Sequence, residues 1–479
     1  MTPRRIALLR LLPAFFAVAG FASCGGGGSE GLNTEMLSVP GYPLASVRIL
    51  VTVGSAMDPP GREGLCRLAW SLLAGGGSRA TARAEIAAKL FPLGAEIGLS
   101  VDKEISVFSG TVRAADLEAF YSVLRECLLE PGFREEDFRR IQSAQLAELE
   151  RGLPGSRDDD RLADEILNLM MYEGHPYGHP DLGLVSSVKA LSLNDVKEFY
   201  GKHFVQGNII LGLGGEFGQA LMSRAMDDFK TLPRGSTPLP ALPDVRPPAG
   251  LEVGIVEKAV SADTVRLGFP IPVRRGDKDF FPLWIAAASL GETGMPFDRL
   301  IRDDGTFAPG SRIADAAIEH PGWRSSRFPR PNHVRWQQHF SVRLAVPESG
   351  GGARAASGLL EAMRKLAAEG ISEERFEFTR ARLLAEVPLY KRNLEEHLAW
   401  RMDSKLTGYL DFLDEVQYAL RRVSREDASL AARAYLDPRS ARLAVVTGDA
   451  EAFAAGLAAD SVRSAPASDF FKAPGWPGR

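Results

Sequence analysis

The folded part of the chain opens on an alternation of apolar and polar positions. Val47, Ile49, Val51 and Val53 alternate with other residues, so 45–54 predicts a half-buried strand. Asp58-Pro59-Pro60-Gly61 is turn chemistry, and a helix is expected from about Glu63 to Leu73, closed by Gly75-Gly76-Gly77. Residues 80–91 read as a second helix, and 94–101 and 104–112 as a strand pair. Asp116 to Leu129 is amphipathic, with Leu117, Phe120, Leu124 and Cys127 on one side. Helices follow over 134–151 and 159–172, the first strongly charged outside. Ser192-Leu-Asn-Asp195 opens another helix with an N-cap and an acid in the first turn, and Asn208 to Leu213 is an apolar strand.

Residues 231–250 break this pattern. Six prolines crowd into Thr231-Leu-Pro-Arg-Gly-Ser-Thr-Pro-Leu-Pro-Ala-Leu-Pro-Asp-Val-Arg-Pro-Pro-Ala-Gly250, a density that excludes a helix interior or a central strand. An extended linker between a 39–230 domain and a 251–479 domain is the expectation. The two halves end alike. Ser192 to Tyr200 followed by Asn208 to Gly215 and Glu216 matches Ser424 to Tyr435 followed by Arg442 to Gly448 and Asp449. Each is a capped helix with a late Tyr, then an apolar strand closed by Gly and an acid. An offset of roughly 230 residues is too long for a solenoid repeat and fits a duplicated α/β domain.

Composition changes this picture little. With 45% hydrophobic and 25% charged residues the chain is of ordinary globular make-up, and a net charge of -4 gives no electrostatic footprint for nucleic acid. The N-terminus stands apart. Arg4, Arg5 and Arg10 precede the short apolar run Leu11 to Phe21, then Phe21-Ala22-Ser23-Cys24 and Gly25-Gly26-Gly27-Gly28-Ser29. Residues 1–23 resemble a bacterial lipoprotein signal peptide, which implies cleavage before Cys24, acylation of its thiol, and a flexible tether over 24–38. An ordinary secretory signal cut after Ala17-Val18-Ala19 is the competing reading. Cys66 and Cys127 lie in apolar helical patterns, where two states stay open: buried free thiols or a disulfide.

Several landmarks align once the duplication is seen: Gly54-Ser-Ala-Met-Asp58-Pro-Pro-Gly61-Arg-Glu-Gly64-Leu65, His175-Pro176-Tyr177-Gly178, Asn208 to Gly215, Phe297-Asp298-Arg299-Leu300-Ile301-Arg302, and Arg442 to Asp449. On these the chain resembles the pitrilysin/insulinase-type zinc peptidases, family M16, in their short two-domain form. The resemblance implies an α+β fold of two homologous α/β-sandwich domains forming half of a clamshell. Active members carry His-x-x-Glu-His on the helix after Gly-Leu, two histidines holding zinc and the Glu serving as base. Here those positions are Arg67, Trp70 and Ser71. Arg has no lone pair for a metal, Trp no carboxylate, and Ser is a poor zinc ligand. The third ligand falls on Glu148, with Glu150 as the alternative. His175 and His179 sit four apart, but Pro176 and Pro180 place them in a loop with no further His or Cys nearby.

The family also holds substrate backbone with an Arg followed by a Tyr. Arg302 matches the Arg, and Phe307 stands in the region of the missing Tyr; alternatively Arg302 pairs with Asp303 or Asp304 on a surface turn. The expectation is therefore a subunit without catalytic residues or bound metal, paired with a zinc-bearing relative around unfolded peptide and lipid-anchored in the bacterial cell envelope. A tethered binding module without such a partner, and a peptidase with an unrecognised site, are the alternatives.

Overall fold

The structure is a computed structural model that describes residues 31–155, 158–245, 250–290, 311–318, 336–347 and 350–477. Cys24, Arg302 and Phe307 lie outside the described residues, as does the expected signal peptide.

Among the described residues, two sheets, of five and six strands, organise the chain, and they are copies of one plan. The first has five strands in the order β1-β5-β2-β4-β3: β1 Asn33–Ser38, β2 Leu44–Val51, β3 Gly98–Val101, β4 Ser106–Arg113 and β5 Ile209–Gly215. The second has six in the order β11-β6-β10-β7-β9-β8: β6 Glu252–Glu257, β7 Thr264–Ile271, β8 Arg312–Ala317, β9 Gln338–Ala345, β10 Arg442–Thr447 and β11 Ser461–Pro466. Strand for strand, β1-β5-β2-β4-β3 corresponds to β6-β10-β7-β9-β8. The sense of pairing matches throughout: β1 runs parallel to β5 and β6 parallel to β10, while the remaining equivalent pairs are antiparallel. The helices before the last strands correspond as well. Leu193–His203 and Arg425–Tyr435 each begin with a complete capping box, Ser192 with Asp195 and Ser424 with Asp427. The chain is thus a mixed α/β structure of two related halves.

Each sheet is covered on one face by helices of its own half and on the other by a helix from the opposite half. The Asp159–Met171 helix lies on β6, β7 and β10, and the Leu394–Thr407 helix lies on β1, β2 and β5. Strand glycines make room for these crossings. A methyl group at Gly212 would come within 2.4 Å of Met402 Sδ, and one at Gly254 within 2.5 Å of Met170 Sδ. Ion pairs stitch the same interface. Arg266 Nη2 donates to Asp164 at 2.9 Å, Arg343 Nη1 to Asp160 at 2.8 Å, and Lys258 pairs with Asp159.

Three expectations need correction. Residues 33–38, expected as tether, form β1. Glu35 pairs with Arg401 at 2.7 Å and Lys405 at 3.0 Å, and Leu37 packs against the apolar cluster that includes Leu398 and Met402. Arg401 stands 366 residues away in sequence, so no local pattern announces the strand. The helix expected over 134–151 stops as an α-helix at Ala147 and continues as a wider π turn over Glu148–Gly152. The strand expected over 94–101 is regular only from Gly98. In the Pro-rich stretch, residues 231–245 form neither helix nor strand, yet they are held down. Gln206 N donates to Pro233 O at 3.0 Å, and Thr237 N to Asn208 Oδ1 at 2.8 Å. Cys66 and Cys127 are free and buried.

Buried histidines give the fold a signature in acid. Burial pushes His203 down to about 4 from an ordinary 6.5, and its Nδ1 has no protein partner. The unfolded chain takes up this proton near pH 6.5 and the native protein does not, so His203 lowers stability as pH falls from 6.5 to about 4. Asp58, pushed up to about 8 by burial, and Asp164, pushed up to about 7, act with the opposite sign, adding stability as pH falls through those values. The histidine contribution is therefore read as a difference. His203→Leu is expected to lose less stability than the parent between pH 6.5 and 4 in urea titrations; parallel pH curves would contradict this.

Candidate functional site

The helix Leu65–Gly75 is positioned by its own preceding loop. Ser55 N donates to Asp102 O at 2.9 Å and Ala56 N to Lys103 O at 2.8 Å, tying the loop to the β3–β4 turn. The Asp58 carboxylate then accepts from Gly64 N and Cys66 N, both at 2.7 Å, and caps the helix start. Gly64 has φ +96 and lies against Leu182 O, where a Cβ would sit at 2.6 Å. Gln145 Nε2, from the Glu135–Ala147 helix, donates to Gly64 O at 3.1 Å and Leu182 O at 2.7 Å. The Asp58-to-Leu65 frame thus has a plain structural meaning: it sets where this helix begins.

The residues at the positions expected to match the family's metal ligands are engaged in other ways. Arg67 reaches Asp181 at 3.4 Å and is partly exposed. Trp70 is 0% exposed and its ring packs edge-on to Phe108 and Phe199, with Phe204 tilted against it. Ser71 is half-buried one residue on. Glu148, at the start of the π turn, accepts from Arg161 Nη1 at 2.7 Å, and Glu150 pairs with Lys189 at 2.7 Å on the surface. This donor set does not fit a zinc ion. One position is a cation, one is an indole locked in an aromatic cluster, and the single carboxylate is already paired with a guanidinium. Among the described residues, no group of three or more His, Cys, Asp or Glu is arranged to hold a metal.

The His175-Pro-Tyr-Gly178 segment packs against Glu104 and Tyr172, two residues that bond across to the second half. His175 and Tyr177 are buried; Tyr177 N donates to His175 Nδ1 at 3.0 Å, and the Tyr177 hydroxyl donates to Glu104. Glu104 also accepts from Trp336 N at 3.0 Å, and Tyr172 OH meets His339 Nδ1 at 3.1 Å. Lys103 donates to His179 O, while His179 Nδ1 lies 2.8 Å from Pro180 O. The Nδ1 atoms of His175 and His179 are therefore committed to backbone groups, and the two side chains form no joint ligand set. Burial lowers both imidazoles to about 4, so each is neutral at physiological pH.

Three participants escape a reading of the sequence: Asp181, Arg161 and the Lys103-Glu104 pair. Asp181 and Arg161 become notable only as partners of Arg67 and Glu148. Lys103-Glu104 carries a visible signal, since two opposite charges sit between two apolar alternating runs, where a solvated turn is the usual interpretation. Both are buried.

Comparison with known proteins bears on this arrangement. Residues 190–383 match the family model described as the peptidase M16 inactive domain. An uncharacterized zinc protease of Rickettsia bellii is 21% identical over 207 residues, which are 43% of this chain and 49% of that protein. The beta subunit of the mitochondrial-processing peptidase of Saccharomyces cerevisiae is 21% identical over 216 residues, 44% of this chain and 45% of that protein. A non-peptidase homolog of Helicobacter pylori is 26% identical over 113 residues, 23% of this chain and 26% of that protein. The chain thus spans half or less of the length of these relatives. The crystal structure of a peptidase M16 inactive domain from Pseudomonas fluorescens superposes with a TM-score of 0.71 at 18% identity, covering 88% of this chain and 97% of that one.

Proposed function

We propose, for a chain that belongs to the M16 peptidase family and whose described residues group no metal-binding set, the role of a non-catalytic subunit that pairs with a zinc-bearing relative and encloses unfolded peptide. The observation that carries this reading is Trp70. Where a catalytic carboxylate is expected, the chain has a fully buried indole among three phenylalanine rings, so the position serves packing. A site lost through one recent substitution would leave its other ligands standing; here Arg67 and Ser71 have changed as well, and Glu148 is held by Arg161. The name of the Helicobacter relative, a non-peptidase homolog, and that of the yeast relative, a subunit, agree with the two parts of the proposal.

In this reading zinc resides only in the partner. Arg302 supplies the substrate contact, two N–H donors to a peptide carbonyl or carboxylate, with Phe307 packing nearby. Cys24 carries the lipid that holds the pair in the bacterial cell envelope. Native protein from detergent-solubilised membranes is expected to co-purify in stoichiometric amount with a chain bearing His-x-x-Glu-His. Recovery without such a chain would replace the proposal with a lipid-tethered binding module. Within a reconstituted pair, Arg302→Ala is expected to reduce cleavage by an amount corresponding to ~1.5–3 kcal/mol of lost contact. Unchanged cleavage would assign Arg302 to a surface ion pair.

A further inference from the structure

Among the described residues, the first sheet is one strand short of the second. In the second sheet the outer edge of β6 is covered by β11, paired in parallel from Ser461 opposite Glu252 to Pro466 opposite Glu257. The equivalent edge strand of the first sheet is β1, and no strand among the described residues takes the place of β11. The chain that follows the Gln219–Phe229 helix, where β11 follows Ala450–Ala455, is the Pro-rich stretch, which turns to Gln206 and Asn208 instead. Among the described residues, the backbone of Thr34–Ser38 bonds only to β5. Burial differs accordingly. The middle of β6 is buried throughout, whereas Met36 at the middle of β1 is 42% exposed. An open edge of this kind is a template for main-chain pairing.

We infer that the outer edge of β1 is a peptide-binding edge, which takes an extended, proline-poor segment in parallel as a sixth strand, as β11 is taken in the other half. The chemistry of the rim selects the segment. Arg401 and Lys405 reach over β1 from the Leu394–Thr407 helix to Glu35, and their side chains remain 35% and 39% exposed. Two cations share one carboxylate there, so an incoming strand that presents an acidic side chain toward that helix completes the pairing. Alternate main-chain groups supply affinity and this one side chain supplies selectivity. The site lies on the β1 edge of the sheet, the opposite edge from β3, and stands whether or not a catalytic partner exists.

The test uses the full mature chain and a fluorescein-labelled hexapeptide, Thr-Val-Glu-Val-Thr-Val, with two controls: the same peptide N-methylated at alternate amides, and one with Lys in place of Glu. The expected result is saturable binding that slows amide hydrogen exchange at Thr34–Ser38. Binding should be roughly tenfold tighter than for the Lys peptide and absent for the methylated one. Lys405→Gln should narrow the ratio between the Glu and Lys peptides without abolishing binding. The inference is overturned by equal binding of the methylated peptide, by protection confined to Gly98–Val101, or by no binding at about 1 mM peptide. Self-association through β1 that the peptide does not displace would also overturn it, because the occupant would then be a second copy.

Discussion

Trp70→Glu, which places a carboxylate at the helix position expected to match a catalytic base, is expected to unfold the protein. The indole is 0% exposed, with ring centroids of Phe108, Phe199 and Phe204 at 5.4 to 6.1 Å. Truncating such a side chain alone costs ~3–5 kcal/mol. A carboxylate in the same space finds no hydrogen-bond donor among these rings, and burying a charge unpaired costs several kcal/mol more. Against a typical domain stability of ~5–15 kcal/mol, the sum removes most or all of the folded population. Trp70→Phe, which keeps an aromatic ring, should remain folded with a smaller loss. Urea unfolding followed by circular dichroism measures both, and a Trp70→Glu protein as stable as the parent would show that the site is still open to a polar group. The combined Arg67→His, Trp70→Glu, Ser71→His protein is expected to bind no zinc for the same reason: its ligands would be grafted onto a helix whose inner face is built for rings.

Arg266→Ala is expected to cost ~3–5 kcal/mol and to weaken both halves together. Arg266, on β7 of the second half, is 1% exposed and pairs at 2.9 Å with Asp164 on the crossing helix of the first half. Removing the guanidinium leaves a carboxylate in a buried interface, where desolvation already pushes Asp164 up to about 7 against the pull of Arg266. Replacing both partners by apolar residues, Arg266→Met with Asp164→Leu, should recover much of the loss, because no uncompensated charge remains. A single unfolding transition that shifts as a whole in Arg266→Ala supports the crossed-helix account. Two separate transitions, with only the second half affected, would contradict it.

These expectations mark where the sequence is legible. The duplication was readable because both capped helices, Ser192–Asp195 and Ser424–Asp427, lead into apolar strands, and the structure places them at equivalent points of two equivalent sheets. That Arg67, Trp70 and Ser71 stand at the motif positions, and cannot supply what the motif requires, is read from the sequence. What holds those residues is not. The Arg161 hold on Glu148 spans 13 residues and a change of helix type, and the Asp181 contact to Arg67 spans 114. The aromatic cage around Trp70 draws on residues from Phe108 to Phe204. Likewise β1 depends on Arg401 and Lys405. Local periodicity reports which face of an element is apolar; it does not report which distant element covers that face.

With the Leu65–Gly75 helix serving packing, the isolated chain is expected neither to bind zinc nor to cleave peptides. The most direct test is equilibrium dialysis of the purified mature chain against zinc, with cleavage of an unfolded protein such as reduced casein assayed on the same sample. The prediction is no stoichiometric zinc at micromolar free metal and no chelator-sensitive cleavage, with cleavage appearing only when a His-x-x-Glu-His chain is added. One equivalent of tightly held zinc, together with chelator-sensitive cleavage that Glu148→Gln abolishes, would contradict it.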